Sequence, residues 1–222
     1  MDPPETTIQR RERTLIVDLL VLPVSYLLGS IPWGLIVGKL KAGIDVRGHG
    51  SGSTGMTNVL RTMGVRFAVF VLLMDTSKGI LAVLLVRFLD GSPLAESLAV
   101  TLAVLGHNWP IYSGFRGGRG IATGVGGLTM LFPMSGVIAV SVFIIPVLVT
   151  RYVSLGSVLA VISAMITIPV FTILDIVPWQ YIFYVYIAGP AIIWKHRGNI
   201  QRLANGTERR LGQQEEMPAQ AQ

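Results

Sequence analysis

The chain has 222 residues, 51% of them hydrophobic and only 14% charged, with a mean hydropathy of +0.62. Soluble domains carry nearer a quarter charged residues, so the composition excludes an ordinary water-soluble globular enzyme. The absence of cysteine excludes a disulfide framework and a thiolate metal site.

Residues 1–14 are polar and read as a loosely ordered N-terminal segment. Six apolar runs follow: Leu15–Val37, Phe67–Leu89, Leu94–Leu105, Ile121–Val149, Val153–Leu174 and Trp179–Trp194. A helix needs about 20 apolar residues to cross about 30 Å of hydrocarbon. The fourth run is long and is broken by Gly126, Gly127 and Pro133, so it divides into two helices and the expected total is seven spans. The expected fold is all-α: a polytopic membrane protein with several short or broken spans. The first run has the basic flank of a signal peptide in Arg10–Arg13, but it is too long and lacks a small-residue cleavage site. It reads as a retained span. Trp179 and Trp194 bracket the last run, where interfacial anchors belong. The expected organisation is therefore the polar segment, one membrane-embedded domain over residues 15–210, and a disordered tail over residues 211–222 that is low in apolar content.

Charge sets the orientation. With the N-terminus outside, thirteen Lys and Arg residues lie on the cytoplasmic side, in Lys39–Arg66, Arg116–Arg119, Arg151 and Lys195–Arg210. Four lie outside, three within Arg10–Arg13 and one at Arg87. This positive-inside asymmetry puts the C-terminus in the cytoplasm and accounts for the net charge of +6 without a nucleic-acid partner. It also places three polar segments on one face: Lys39–Thr57, Gly106–Gly120 and Lys195–Arg210.

The first of these holds Gly48, Gly50, Ser51, Gly52, Ser53, Thr54 and Gly55, then Thr57 and Asn58. Glycines let the backbone approach a ligand closely, and a helix starting near Met56 would turn its positive end toward an anion. Arg61 shares a helical face with Thr57 and Asn58. The stretch reads as a phosphate cradle with a charge clamp, or as a flexible connection rich in small residues. The second segment repeats that chemistry in Gly114, Arg116, Gly117, Gly118, Arg119 and Gly120, again ahead of a helical run. A guanidinium can grip phosphate through two donors at once. In the third, His196 and Asn199 stand three residues apart at the end of the last span, where a substrate hydroxyl could meet both; an ordinary surface placement is the alternative. Asp75 and Lys78 lie on one face inside an apolar span and read as an ion pair bracing the site rather than touching substrate. A structural hydrogen bond is the favoured reading of His107, and none of the three histidines has metal-ligand spacing to another.

Three other classes fit less well. A transporter of a phosphorylated solute would also use helix breaks and basic residues, but no internal repeat is visible. A metal-dependent phosphotransferase needs clustered carboxylates, whereas Asp45 and Asp75 are far apart in the chain. No histidine has an Asp five residues on, which excludes the acyltransferases built on that pair.

Taken together, GSIPWG (Gly29–Gly34), DVRGHGSGSTGMTNVLR (Asp45–Arg61), DTSKG (Asp75–Gly79), GHNWPIYSGFRGGRGIAT (Gly106–Thr123), RYVSLGS (Arg151–Ser157) and KHRGNIQRLANGTE (Lys195–Glu208) resemble the acyl-phosphate-dependent glycerol-3-phosphate acyltransferases, the PlsY family. The resemblance runs from about Leu28 to Glu208. It departs where the family usually has Asn-Pro and this chain has Ser53-Thr54, and where a usual Lys is Arg119.

The resemblance implies transfer of a fatty acyl group from acyl phosphate to the 1-hydroxyl of glycerol 3-phosphate, giving lysophosphatidic acid and phosphate. It implies that Ser51, Arg61 and Arg119 hold the glycerol 3-phosphate phosphate while His196 and Asn199 orient its hydroxyls. Gly52, Ser53, Thr57, Gly118, Ser157 and Thr207 would surround the acyl phosphate. Asp75, Lys78 and His107 would support the site. It implies no metal, no cofactor and no serine nucleophile, with His196, Asn199 and Ser51 nearest the chemistry; His196 as general base is the competing mechanism. It further implies a multi-pass protein of the bacterial inner membrane, with its site at the cytoplasmic face and a functional link to an enzyme that forms acyl phosphate.

Overall fold

The structure is a computed structural model that describes residues 7–213, apart from the Arg10 side chain. Ten α-helices carry the described chain: α1 (Thr7–Gly29), α2 (Trp33–Ala42), α3 (Met56–Met63), α4 (Val65–Phe88), α5 (Pro93–Asn108), α6 (Ile121–Leu131), α7 (Pro133–Thr150), α8 (Val153–Ile173), α9 (Tyr181–Lys195) and α10 (Arg197–Ala204). Short 3-10 turns at Val46–Gly48 and Ile111–Ser113 interrupt the first two polar segments.

The expected first span is two helices. Pro32 has no N–H and disfavours helical backbone at Ile31, so the chain breaks between Gly29 and Trp33. The N-terminal segment also differs from expectation: α1 starts at Thr7, so the described half of residues 1–14 is helical. Residues 1–6 and most of the expected disordered tail, residues 214–222, lie outside the described residues.

Seven spans were expected. Among the described residues four stretches are long and apolar enough to cross a membrane: Thr7–Ala42, Val65–Phe88, Pro133–Thr150 and Val153–Ile173. The helices α5, α6 and α9 are apolar but have only 16, 11 and 15 residues. At 1.5 Å per residue, α6 extends only about 16 Å. The expected split of the fourth run occurs at Phe132, the cap shared by α6 and α7. Leu73, Ile145, Leu148, Ile166 and Ile173 are all more than half exposed on the outside of the bundle, a surface suited to lipid. Trp179 and Trp194 are exposed at opposite ends of α9, as interfacial anchors would be.

Glycines set the closest helix crossings. A Cβ on Gly29 would overlap the Ala103 backbone of α5, and one on Gly106 would overlap Tyr26 of α1. Gly79 lies against Thr123 and Gly127 of α6, while Gly126 lies against Thr76 of α4. Lipid offers little hydrophobic drive for helix association, so backbones held together through small residues supply packing in its place. The α4–α6 crossing matters most, because it fixes where α6 begins and hence where Arg119 stands.

The bundle has two distinct ends. One gathers the three polar segments. At the other, Ser92 donates to Asp18 (Oγ to Oδ2, 2.6 Å), and the Arg87 guanidinium and Tyr181 hydroxyl both donate to Glu96 (2.6–3.1 Å). These bonds tie α1, α4, α5 and α9 together at the far end.

Candidate active site

The first polar segment is tied together by side-chain hydrogen bonds. Asp45 accepts the Arg47 guanidinium in a fork (Nε to Oδ1 2.9 Å, Nη2 to Oδ2 2.7 Å), which lowers its carboxyl to about 2. Arg47 also donates to the Ser113 carbonyl (2.8 Å), joining the first loop to the second. Asn58 is buried in the middle: its amide donates to the carbonyls of Val46, His49 and Ser53, and its Oδ1 accepts the Ser51 N–H (2.8 Å). Gly50 and Gly52 have φ of +58° and +69°, conformations that glycine adopts without a Cβ penalty. The following helix, α3, begins at Met56 behind a Gly55 cap that supplies no side-chain acceptor. Its N-terminal dipole is therefore open to the cavity that Gly55, Met56 and Thr57 line.

The second loop is held from beneath. Lys78 Nζ donates to Asp75 Oδ1 (2.7 Å), and His107 Nδ1 lies 3.3 Å from Nζ and 3.5 Å from Oδ1. All three residues are buried. The Gly118 N–H donates to the His107 carbonyl (3.0 Å), and a Cβ on Gly118 would overlap the His107 ring. The expected Asp75–Lys78 ion pair is formed, and His107 beside it lies against the glycine next to Arg119. Gly120, with φ +84°, caps α6, again without a side-chain acceptor.

The third segment closes the site. His196 is 1% exposed, and its Nδ1–H donates to the Ile192 carbonyl (2.9 Å), leaving Nε2 as an acceptor. Burial, with Arg119 nearby, lowers its pKa to about 4. Glu208 accepts from Asn199 Nδ2 (2.6 Å), Ser154 Oγ (2.7 Å) and Arg202 Nε (2.8 Å). Burial opposes its charge, but those donors outweigh it and hold the carboxyl below its ordinary range. Burial also lowers Arg119 to about 10, with Arg202 and Arg61 adding like charge and Glu208 offsetting part of it. Arg119 therefore remains a cation at neutral pH.

Two joined cavities result. The outer, about 460 Å³, is polar and is lined by Ser51, Gly52, Arg61, Gly118, Arg119, Asn199 and Glu208, with Lys195, Arg197, Arg202 and Arg209 at its margin. The inner, about 320 Å³, shares Ser51, Ser53, Arg61, Arg119, Asn199 and Glu208 with it and adds Thr57, Asp75, His107, Ser157 and His196. Its apolar wall includes Leu72, Val125, Val140, Phe143 and Ile144, from α4, α6 and α7. One chamber thus runs from guanidinium groups to aliphatic side chains, a shape suited to an amphiphile with an anionic head.

Of the residues expected from sequence, Thr207 alone among the substrate contacts is left outside. It is exposed, and its hydroxyl reaches only the Arg202 carbonyl at 3.5 Å. Glu208, two residues beyond the turn at Gly206 (φ +70°), is buried in the site instead. Glu208 and Ser154 have no role in the sequence reading, and Asn58, placed there in the phosphate cradle, also serves as the strut beneath the loop. Glu208 had a signal, as the sole carboxylate in the basic stretch Lys195–Arg210.

The protein is thus a helical bundle with a lipid-suited exterior and a chamber that runs from guanidinium groups to apolar side chains. Residues 19–206 match the model of the family described as glycerol-3-phosphate acyltransferase. The chain is 45% identical over 194 residues to a glycerol-3-phosphate acyltransferase of Halalkalibacterium halodurans, covering 86% of this chain and 94% of the relative. It is 43% identical over 203 residues to one of Clostridioides difficile, covering 89% and 97%. Among solved structures it is similar to PlsY (YgiH), described as an integral membrane glycerol 3-phosphate acyltransferase, in its glycerol 3-phosphate form. There the TM-score is 0.80 at 38% identity, over 88% of this chain and 96% of that one. The lysophosphatidic acid form of the same protein gives 0.77 at 37% identity, over 88% and 95%. The chain belongs to the glycerol-3-phosphate acyltransferase family, and it is a membrane protein.

Proposed function

We propose that this chain transfers a fatty acyl group from acyl phosphate to the 1-hydroxyl of glycerol 3-phosphate, giving lysophosphatidic acid and phosphate. The observation that carries the reading is the single chamber in which Arg61 and Arg119 face Phe143 and Ile144. Both reactants carry phosphate, each with about −1.5 to −2 charges at neutral pH. Only the donor carries an acyl chain. A solved relative described in a glycerol 3-phosphate form and a lysophosphatidic acid form supports the same substrate and product here.

Ser51, Arg61 and Arg119 hold the glycerol 3-phosphate phosphate, and His196 Nε2 and Asn199 orient its hydroxyls. Gly52, Ser53, Thr57, Gly118 and Ser157 surround the acyl phosphate. The 1-hydroxyl oxygen attacks the acyl carbon, the bond from that carbon to the phosphate oxygen breaks, and the hydroxyl proton passes to the departing phosphate. Acyl phosphate is already activated, so positioning and stabilisation of developing negative charge account for most of the acceleration. A histidine with pKa about 4 is a weak base at neutral pH, which supports His196 as an acceptor that orients rather than as the base. The basic residues around the site favour a cytoplasmic placement in a bacterial cell membrane, with α5, α6 and α9 completing seven crossings. A partner that forms acyl phosphate would supply the donor.

The test is turnover by purified protein in lipid, with labelled glycerol 3-phosphate and either palmitoyl phosphate or palmitoyl-CoA. Product from the phosphate and none from the thioester supports the reading; the reverse result removes the donor assignment. Direct transfer also requires sequential kinetics, so recovery of a stoichiometric acyl-Ser51 adduct would replace it with a covalent route.

A further inference from the structure

Deeper in the bundle, beside the inner chamber, lies an apolar cavity of about 30 Å³ among α6, α7, α8 and α9. Its room comes from small residues, Gly124, Ala139, Ala160, Ala164 and Gly189, in a core otherwise built of branched side chains. The helices that line it also line the inner chamber, and on matching faces. Along α8, Ser154 and Ser157 face the chamber, and Val161 and Ala164 face the apolar cavity, at helical spacings of three, four and three. At the C-cap of α9, His196 faces the chamber, and Ile192, Gly189 and Val185 of α9 face the cavity, at spacings of four, three and four. Ile121 and Val125 of α6 line both spaces.

We propose that this cavity is a tail pocket: it takes the methyl end of the acyl chain whose head lies in the chamber, and it sets the preferred chain length. The proposal rests on the acyl-transfer reading above. A seven-residue step along α8 from Ser157 to Ala164 is about 10 Å of rise, so the pocket lies one chain segment beyond the polar head. A cavity this small suits the methyl end of a chain and not a whole chain. Because lipid is as apolar as the pocket, the tail gains contact rather than escape from water, and shape decides the preference. Met165 and Gly189 set the depth. A Cβ on Gly189 would come within 2.9 Å of Met165 Sδ, the far end of a flexible thioether that can swing to adjust the floor.

The experiment compares dodecanoyl phosphate with palmitoyl phosphate in purified wild type, Ala164→Phe and Met165→Ala. Ala164→Phe fills the pocket, and excluded methylenes are worth roughly tenfold or more in selectivity. The palmitoyl-to-dodecanoyl ratio of kcat/KM should fall at least about tenfold, with dodecanoyl turnover kept. Met165→Ala should raise the same ratio. An unchanged ratio in both variants, with both chain lengths turned over, overturns the proposal and leaves a packing void. Should Ala164→Phe fail to fold, Met165→Ala decides alone, since a ratio unmoved by enlarging the floor also overturns it. Protection from thermal unfolding by lauroyl- and palmitoyl-lysophosphatidic acid gives the same comparison without any donor. If no acyl phosphate is turned over, the donor reading fails while this second measurement still tests the pocket.

Discussion

At the scale of single residues, the two guanidinium groups carry the sharpest expectations. A hydrogen bond to a charged group is worth roughly 1.5–3 kcal/mol, so Arg61→Ala should lower kcat/KM for glycerol 3-phosphate by at least about tenfold. Arg119→Lys should be tolerated far better than Arg119→Ala, because the lysine keeps the charge and loses only the fork. Full activity in Arg119→Ala would remove this residue from the site. His196 gives a pH prediction with a definite sign. Its folded pKa of about 4 lies below the ordinary value of 6.5, so in the folded protein it stays neutral down to about pH 4. The unfolded chain binds the extra proton first, so the stability that His196 contributes is intact above about pH 6.5 and declines as pH falls toward 4. The kcat profile should accordingly show no inflection near pH 6.5. An acid limb centred there that His196→Gln abolishes would mean that a titrating His196 acts as base. Glu208 belongs at this scale as well. Glu208→Ala removes one acceptor from Asn199, Ser154 and Arg202 together, and should raise KM for glycerol 3-phosphate as Asn199 loses its anchor.

Between elements, the brace under the second loop is the part most sensitive to substitution. Lys78→Met leaves Asp75 charged, buried and without its ammonium partner, a situation that costs about 3–5 kcal/mol. The double variant Asp75→Asn with Lys78→Met should recover much of that loss in thermal unfolding. If the single and double variants melt alike, the pair is not the brace that the geometry describes. Gly118→Ala would press a methyl into the His107 ring, which cannot retreat from Lys78 and Asp75. Activity should fall more than stability, because the strain is relieved by moving Arg119 off its position. The α4–α6 crossing follows the same logic: Gly79→Val should part the helices at Thr123 and lower both activity and Tm.

For the whole molecule, the prediction is orientation. Since the chain has no cysteine, single cysteines can report which side of the membrane each polar segment occupies. A cysteine at Gly212 should be shielded from an impermeant thiol reagent in intact cells and labelled after lysis. Labelling before lysis would invert the arrangement and move the chamber to the outer face. The membrane environment itself follows from amino-acid order alone. The longest apolar runs are of membrane-spanning length, and the polar segments between them are rich in glycine, hydroxyl and guanidinium groups. Even the break after Gly29 was written in Pro32, although the run around it masked the interruption. What no linear reading supplied was contact. Gly79, Gly118 and Gly126 are legible as glycines, but their use as surfaces for another backbone depends on which helix lies opposite. Thr207 and Glu208 are neighbours that a motif presents alike, and only the left-handed turn at Gly206 sends one outward and the other into the site. The apolar pocket has no sequence signature, because it is the space left between small residues of four helices far apart in the chain. Patterns set by solvent and by local backbone chemistry are carried in the sequence, whereas spaces and close approaches come into being only when distant segments meet.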